Sequence, residues 1–252
     1  MKIITSEFAH SYRHFSFGYA DFLLHEKGDS LHKIYERGFL PDSSVPEHSN
    51  LFYRARSARV KLHGWTPNSE NRRVLQKFEG KLQKKNIPFG LFNHDDKAFR
   101  SFCLTYFKNR HGEMSMPEQK FDTIMKSNLI KNIIVYYENN NIVAYVFEVN
   151  DSTMGHYWYS FYDLSYAFQS LGMWIMIDGV REAKKEKKKY YYLGTVYGDK
   201  ALYKTNFNNL EYWTGSAWSD DIKALKKRSR GDNERTFDLP AEWKEQFHKK
   251  NS

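Results

Sequence analysis

NIIVYYENNNIVAYVFEVN, residues 132–150, is the stretch of sequence that decides the fold. Two runs of β-branched and aromatic residues flank three consecutive asparagines, and this pattern predicts two strands joined by a tight turn. The second run, Ile142–Val149, is apolar on both faces, which is typical of a strand in the middle of a covered sheet. The sequence therefore predicts a sheet with helices packed against it.

Helical and strand patterns alternate around this hairpin. Two helical segments precede it, at residues 96–110 and 116–128. After it come strand Gly155–Tyr162, a helix that begins at Ser170, strand Tyr190–Gly194, a short helix over Asp199–Asn206 and strand Glu211–Trp213. This order on a mixed sheet resembles the GNAT acetyltransferase superfamily. We therefore expect an α/β (α+β) protein with a GNAT-like acyltransferase fold and a mixed central sheet.

The residues before the hairpin region predict a smaller α/β part. Its expected elements are a helix over Asp29–Arg37, strands Leu51–Arg54 and Arg59–His63, and a long helix over Ser69–Lys85. Three units are predicted from these patterns: an N-terminal α/β region over residues 1–87, a GNAT-like transferase domain over 88–220, and a basic C-terminal tail over 221–252.

Charge and composition favour a polyanionic partner. The formal net charge of the 252 residues is +9, so nucleic acid is the simplest partner and an anionic membrane is the competing one. The sequence has no run of 18 apolar residues, and MKIITSEFAH lacks the apolar core of a signal peptide. We therefore expect a cytoplasmic protein that does not enter a membrane.

A metal site or a coenzyme A site is not expected from the residue patterns. Cys103 is the single cysteine, and the ten histidines form no HExxH motif. Cys103 lies in an amphipathic run and is interpreted as a small buried apolar residue. The segment Gln169–Gly172 has one glycine where coenzyme A loops of GNAT proteins have several, which disfavours coenzyme A as the donor.

Several short motifs occur in the order seen in one known family. FYD at 161–163, SLG at 170–172, YYYLG at 190–194, YK at 203–204 and Trp218 follow one another over about 60 residues, and upstream lie YR at 53–54, RV at 59–60 and SENRR at 69–73. Together they resemble the aminoacyl-tRNA–protein transferases, the arginyl- and leucyl-transferases of the N-degron pathway. The cysteine pairs of that family are absent here, and Leu164 replaces a proline.

The resemblance implies that the chain transfers an amino acid from aminoacyl-tRNA to a free amine of a protein or peptide N-terminus. The aminoacyl ester is already activated, so neither a cofactor nor a covalent enzyme intermediate is expected. Alternatives stay open: an acceptor that is a small molecule or a biosynthetic peptide, a non-catalytic tRNA-binding relative, or an acetyl-CoA-dependent N-acetyltransferase. The transferred amino acid and the oligomeric state are not predicted.

Three candidate catalytic residues and six candidate substrate-binding residues follow from the motifs. Asp163 would hold an amine, Tyr203 would protonate the leaving ribose oxygen, and Lys204 would neutralise a phosphate. The candidate substrate-binding residues are Tyr162, Ser170, Leu171, Gly172, Tyr192 and Gly194. Asp163 as a local turn cap, Tyr162 and Tyr192 as core residues, and Gly194 as a packing residue remain alternatives.

Four arginines are candidate tRNA-binding residues: Arg54, Arg59, Arg72 and Arg73. Arg72 and Arg73 lie in the first turn of a predicted helix, where the helix dipole disfavours cations by a few tenths of a kcal/mol. Two cations in that position indicate an anionic ligand, and a solvated helix face is the alternative.

Overall fold

The hairpin at residues 132–150 forms two neighbouring strands of an eight-stranded sheet. The computed structural model describes residues 1–11, 16–45, 50–112 and 115–232. The strands are β1 (Lys2–Ser11), β2 (Ser16–Leu24), β3 (Phe39–Pro41), β4 (Leu51–Arg54), β5 (Ser57–Lys61), β6 (Leu82–Pro88), β7 (Ile130–Glu138), β8 (Asn141–Asn150), β9 (Met154–Tyr162), β10 (Tyr190–Thr195), β11 (Leu210–Trp213) and β12 (Trp218–Ser219).

Six α-helices and three short 3₁₀ segments are found in the described part of the chain. The α-helices are α1 (Leu31–Glu36), α2 (Ser69–Gln76), α3 (Lys97–His111), α4 (Glu118–Met125), α5 (Leu171–Lys185) and α6 (Ile222–Gly231). The 3₁₀ segments are Phe89–Leu91, Leu164–Gln169 and Asp199–Thr205.

The strands form two sheets. The larger has the order β12-β11-β5-β10-β9-β8-β7-β6, and the smaller, N-terminal sheet has the order β1-β2-β4-β3. Among the described strands, β9 and β10 run parallel, and every other pairing is antiparallel. Helix α5 connects the parallel pair, as such a pair requires a crossover. The mixed sheet confirms the predicted α/β class, and its parallel pair joined by α5 is the arrangement expected of a GNAT-like fold.

The turn of the predicted hairpin explains its register. Glu138 pairs with Asn141, so Asn139 and Asn140 form a two-residue loop with φ values of 50° and 66°. Asparagine tolerates this left-handed conformation better than most residues, and the resulting turn matches the twist of the strands. The two strands and the turn confirm the prediction from the sequence.

Apolar residues cover both faces of the larger sheet. On one face, α5 is buried along most of its length and packs with Val74 of α2 against the sheet. On the other face, α3 and α4 bring Phe99 and Phe121 against Phe147 and Phe161 of the central strands. These two layers hold the central strands rigidly, because their side chains are buried on both sides.

The prediction of one long helix over Ser69–Lys85 is wrong in its second half. Helix α2 ends at Gln76, Gly80 has a φ of 71°, and Leu82–Pro88 forms the edge strand β6 paired with β7. The left-handed glycine ends the helical path, and pairing with the hairpin outweighs the helical propensity of this lysine-rich segment.

One of the two boundaries predicted between the units falls within an observed element. The boundary at residues 87/88 lies inside β6, and β5 of the N-terminal region pairs with both β10 and β11. The first residues of the predicted tail form α6, where Leu225 is buried. Residues 233–252 of that tail lie outside the described residues.

Candidate functional site

The two parallel strands diverge, and the gap between them forms a large cavity. Their pairing ends where Tyr192 faces His156. Beyond that point β9 remains paired with β8, whereas β10 has a register shift at Gly194, whose φ is 81°. Residues of both strands line the resulting cavity of about 1360 Å³. Glycine adopts this φ without the steric cost that a side chain would add.

The cavity walls are aromatic and basic. Its tyrosines are Tyr53, Tyr106, Tyr157, Tyr159, Tyr162, Tyr197 and Tyr203, and its basic residues are Arg110, His111, Lys120, His156, Lys200 and Lys204. Aromatic rings stack on nucleobases and cations neutralise phosphates. Such walls suit a ligand that carries both groups.

One carboxylate, that of Asp42, lies among the residues that line the cavity. It accepts hydrogen bonds from the backbone N–H of Ser44 at 2.5 Å and from the Ser44 hydroxyl at 2.6 Å. The neighbouring Ser43 hydroxyl lies 2.7 Å from the Tyr159 hydroxyl, which ties this loop to β9. An ammonium group in the cavity therefore has a fixed anionic partner.

The N-terminus of α5 opens into the cavity. Ser170 and Gly172 line it, and the backbone N–H groups of this first turn have no acceptor within the helix. A Cβ at Gly172 would lie 2.8 Å from Cε1 of Tyr162, so only glycine lets the helix approach β9 this closely. These first-turn donors and the positive end of the helix dipole can stabilise a carbonyl oxygen or an oxyanion.

Lys204 and Tyr203 enter the cavity from the 3₁₀ segment Asp199–Thr205. The Lys204 ammonium donates a hydrogen bond to the carbonyl oxygen of Thr195 at 2.8 Å, and burial lowers its pKa to about 8. Tyr203 is 44% exposed at the cavity mouth, and partial desolvation, with a smaller contribution from Tyr162, raises its pKa above the ordinary value. At neutral pH Tyr203 is thus a proton donor, and a fraction of Lys204 is neutral and can accept a proton.

His156 lies behind Lys204 and was missed by the sequence interpretation. A Cβ at Gly194 would lie 3.5 Å from Nζ of Lys204 and 3.8 Å from Nε2 of His156. The other ring nitrogen of His156 lies 2.8 Å from the Tyr35 hydroxyl. Burial, together with the Lys204 charge, lowers the pKa of His156 to about 3, so the imidazole is neutral. A lone histidine in a strand carries no sequence signal of this kind.

Six of the nine predicted catalytic and substrate-binding residues line the cavity. These are Tyr162, Ser170, Gly172, Gly194, Tyr203 and Lys204. Leu171 is fully buried in the core instead, and Tyr192 is buried beside Arg59 and Trp218. Asp163 is exposed outside the cavity lining, where its carboxylate accepts a hydrogen bond from the backbone N–H of Ser165 at 2.9 Å.

The four predicted tRNA-binding arginines do not converge on one surface. Arg59 is 5% exposed, with Nε 2.8 Å from a Glu211 carboxylate oxygen. Arg54 pairs with Asp21 at 2.6 Å. Arg72 and Arg73 are exposed on α2. Three of the four arginines, Arg54, Arg59 and Arg73, therefore pair with acidic residues of the fold, Arg73 with Glu70 at 2.6 Å on the exposed face of α2.

Neither a cluster of metal-ligating side chains nor a membrane-spanning helix occurs in the part of the chain that the structure describes. Among residues 1–11, 16–45, 50–112 and 115–232, no group of three or more His, Cys, Asp or Glu side chains could hold a metal ion. Within these ranges no helix has the length and apolar character needed to cross a bilayer. Cys103 is buried, as predicted, and burial raises the pKa of its thiol.

Comparisons with known proteins agree with the motifs. Residues 100–214 match the model of the family described as "Arginine-tRNA-protein transferase, C terminus". An aspartate/glutamate leucyltransferase of Cereibacter sphaeroides is 26% identical over 178 residues, which are 65% of this chain and 61% of that protein. The enzyme of the same name from Thiobacillus denitrificans is 26% identical over 168 residues, 64% of this chain and 67% of that protein.

The matched regions leave part of each protein uncovered. The chain spans about 61% of the length of the Cereibacter sphaeroides relative. Among solved structures, L-PGS from Bacillus licheniformis has a TM-score of 0.45 and 12% identity, over 56% of this chain and 46% of that one. The family match and the curated relatives confirm the predicted resemblance to the aminoacyl-tRNA–protein transferases.

Proposed function

We propose that this chain, whose residues 100–214 match the arginine-tRNA-protein transferase family, moves an amino acid from aminoacyl-tRNA to a free amine. The acceptor is a protein or peptide N-terminus, and the product is a peptide bond. One observation carries the proposal: the cavity between β9 and β10 combines tyrosine rings, cations and the N-terminus of α5. These are the groups needed to bind the 3′ end of a tRNA together with its ester.

The size of the cavity supports two substrates. Its volume of about 1360 Å³ exceeds the ~300–1,000 Å³ of ordinary small-ligand pockets. The tyrosines provide faces for the terminal adenine, and Arg110, Lys200 and Lys120 provide charge for the adjoining phosphates. The remaining volume accommodates an aminoacyl group and the amine that attacks it.

The chemistry requires proton transfers and a stabilised oxyanion. The acceptor nitrogen attacks the ester carbonyl, a C–N bond forms, and the C–O bond to the ribose breaks. We assign Lys204 to accept the proton of the attacking amine and Tyr203 to protonate the departing ribose oxygen. The first-turn N–H groups of α5 stabilise the negative charge on the carbonyl oxygen. The ester itself supplies the activation, so the reaction needs no cofactor and no covalent enzyme intermediate.

Asp42 positions an α-ammonium group in this scheme. It is the one acidic residue among the residues that line the cavity. The aminoacyl group of a charged tRNA carries an α-ammonium that an otherwise basic cavity would repel. Pairing with the Asp42 carboxylate offsets that repulsion and aligns the carbonyl carbon with the N-terminus of α5. Asp163 remains a candidate for holding an amine, but no step above depends on it.

Leucine is the first amino acid to test. The relatives are named aspartate/glutamate leucyltransferases, and Met173, Met176 and Leu193 supply an apolar part of the cavity wall. An aliphatic side chain gains free energy on such a surface, at about 25 cal/mol for each Å² buried. A cytoplasmic location follows from the same proposal, because charged tRNA is the donor.

A transfer assay tests the proposal. The protein is incubated with total tRNA charged with labelled amino acids and with peptides whose N-terminal residues differ. We expect label to enter a peptide from leucyl-tRNA and to be lost after RNase treatment. Transfer only to small amines would assign a different acceptor. Tight tRNA binding without transfer would indicate a binding protein, and transfer from acetyl-CoA alone would contradict the proposal.

A further inference from the structure

A second cavity, rich in lysine, lies at the other end of β10. It has a volume of about 510 Å³, and its lining includes Tyr190, the first residue of that strand. The basic residues that line it define what we call the lysine cavity: Lys61, His63, Lys184, Lys187, Lys188 and Lys189. None of the lining residues is acidic. A concave surface of this composition attracts polyanions more strongly than scattered surface lysines do.

Part of this positive charge is held by the fold and part is available. Lys188 donates to the carbonyl oxygen of Asp151 at 2.6 Å and pairs with Glu186 at 3.2 Å. Lys187 and Lys189 are exposed, and neither has an acidic partner in the part of the chain that the structure describes. These two ammonium groups can therefore meet a ligand without first leaving an ion pair.

Helix α2 connects the lysine cavity with the large cavity. At one end of α5, Lys184 donates to the carbonyl oxygen of Trp65 at 2.5 Å, four residues before α2 begins. At the other end, Nζ of Lys77 lies 3.3 Å from Oγ of Ser170, which lines the large cavity. Arg72 is exposed on α2 between these contacts. A basic path of Lys184, Arg72 and Lys77 thus runs beside α5 from one cavity to the other, next to the Glu70–Arg73 ion pair of α2.

The length of this basic path matches a stretch of nucleic acid. Helix α5 has 15 residues, which at about 1.5 Å per residue span roughly 22 Å. Phosphates along a stacked strand are spaced by about 3.4 Å of axial rise, so this distance corresponds to roughly six nucleotides. The basic path is therefore longer than is needed to bind only the terminal nucleotide in the large cavity.

We propose that the lysine cavity binds backbone phosphates of the tRNA whose aminoacylated 3′ end occupies the large cavity. The inference rests on the proposed function for the identity of its ligand. Lys187 and Lys189 make the phosphate contacts, and Arg72 lies along the path of the strand. The contacts raise affinity for the whole tRNA without touching the reacting ester, because they act through charge alone.

Equilibrium binding of uncharged tRNA tests the inference. The variant Lys187→Gln/Lys189→Gln removes two charges, and Lys126→Gln/Lys131→Gln is the matched control, with two lysines exposed near α4 and β7. Each lost phosphate contact lowers the slope of log K against log salt by ~0.7–0.9. At 0.1 M salt this corresponds to a loss of about 25- to 60-fold in affinity for the first variant. The control should change affinity by less than two-fold.

A minimal donor separates this inference from the proposed function. Transfer from a 3′-aminoacylated trinucleotide should be equal in the wild type and in Lys187→Gln/Lys189→Gln, whereas transfer from whole tRNA should fall at subsaturating concentration. If no donor supports transfer but the variant still loses tRNA affinity, the proposed function fails and the site stands. Unchanged tRNA affinity and salt slope overturn the site. This conclusion would hold even if the variant lost binding to vesicles of anionic lipid. That loss would show that the lysine cavity is a lipid site instead.

Discussion

Replacing Lys204 with methionine should stabilise the protein while abolishing transfer. The pKa of this lysine is about 8 in the folded chain against 10.5 as its ordinary value, because burial disfavours the ammonium. At about 1.4 kcal/mol per pKa unit, the penalty for keeping it charged is at most ~3.4 kcal/mol. Partial contact with solvent and the lost hydrogen bond to Thr195 reduce the net gain to about 1–2 kcal/mol near pH 7.

The stabilisation expected from Lys204→Met depends on pH. Between pH 8 and 10.5 the unfolded chain binds more protons at this lysine than the folded chain does, so the stability of the wild type rises with pH in that window. The penalty is fully present below pH 8 and is lost above 10.5. The stability advantage of Lys204→Met should therefore be largest at or below pH 8 and should vanish or reverse by pH 10.5.

Urea unfolding of both proteins at several pH values measures the effect. The difference between their free energies of unfolding isolates Lys204, because all other groups titrate in both proteins. The exposed Lys126, replaced by methionine, serves as a control and should change stability by less than about 0.5 kcal/mol. A difference that stays constant from pH 7 to 10.5 would refute a buried ammonium at this site, and full transfer activity in Lys204→Met would refute its role as the base.

Three further substitutions test other parts of the site. Gly172→Ala places a Cβ 2.8 Å from the Tyr162 ring, so kcat/KM for transfer should fall at least ~10-fold. Thermal unfolding should show that the variant is still folded. Activity within two-fold of the wild type would contradict the close approach of α5 to β9. Asp42→Asn should remove the preference for aminoacyl-tRNA over its N-acetylated form by roughly 10-fold, and an unchanged preference in competition assays would show that Asp42 does not bind the α-ammonium. Arg59→Met should lower the free energy of unfolding by about 2 kcal/mol, because the half-buried Glu211 carboxylate loses one of its two cationic partners and keeps only Lys61. The affinity for tRNA should be unchanged; weaker tRNA binding at full stability would instead support the predicted tRNA contact.

The central hairpin and the helix after β9 could be predicted because their signals are local. The asparagine turn and the two apolar runs specify β7 and β8 without any distant contact. Residues 82–85, the first part of the lysine-rich strand β6, are predicted as helix because only their pairing with β7, 50 to 56 residues away, makes them a strand. The hairpin of β1 and β2 is not among the predicted elements, although alternation of polar and apolar residues is typical of strands.

The site illustrates the same division between local and distant contacts. Gly172 and Lys204 were identified through motifs, and both line the cavity. Arg59 carries the same basic sequence signal as an exposed arginine, but its partner Glu211 is 152 positions away and buries it. Asp163 was predicted to hold an amine, yet its closest donor is the N–H two residues later, a local contact that competes with any ligand.

The most direct test of the central claim is the mass of an acceptor peptide after incubation with the protein and leucyl-tRNA. We predict that the N-terminus gains one leucyl residue, that the gain needs intact charged tRNA, and that Lys204→Met prevents it although the variant is folded. A peptide of unchanged mass with every charged tRNA tested, under conditions in which the protein remains folded and binds tRNA, would contradict the assignment of this chain as a transferase.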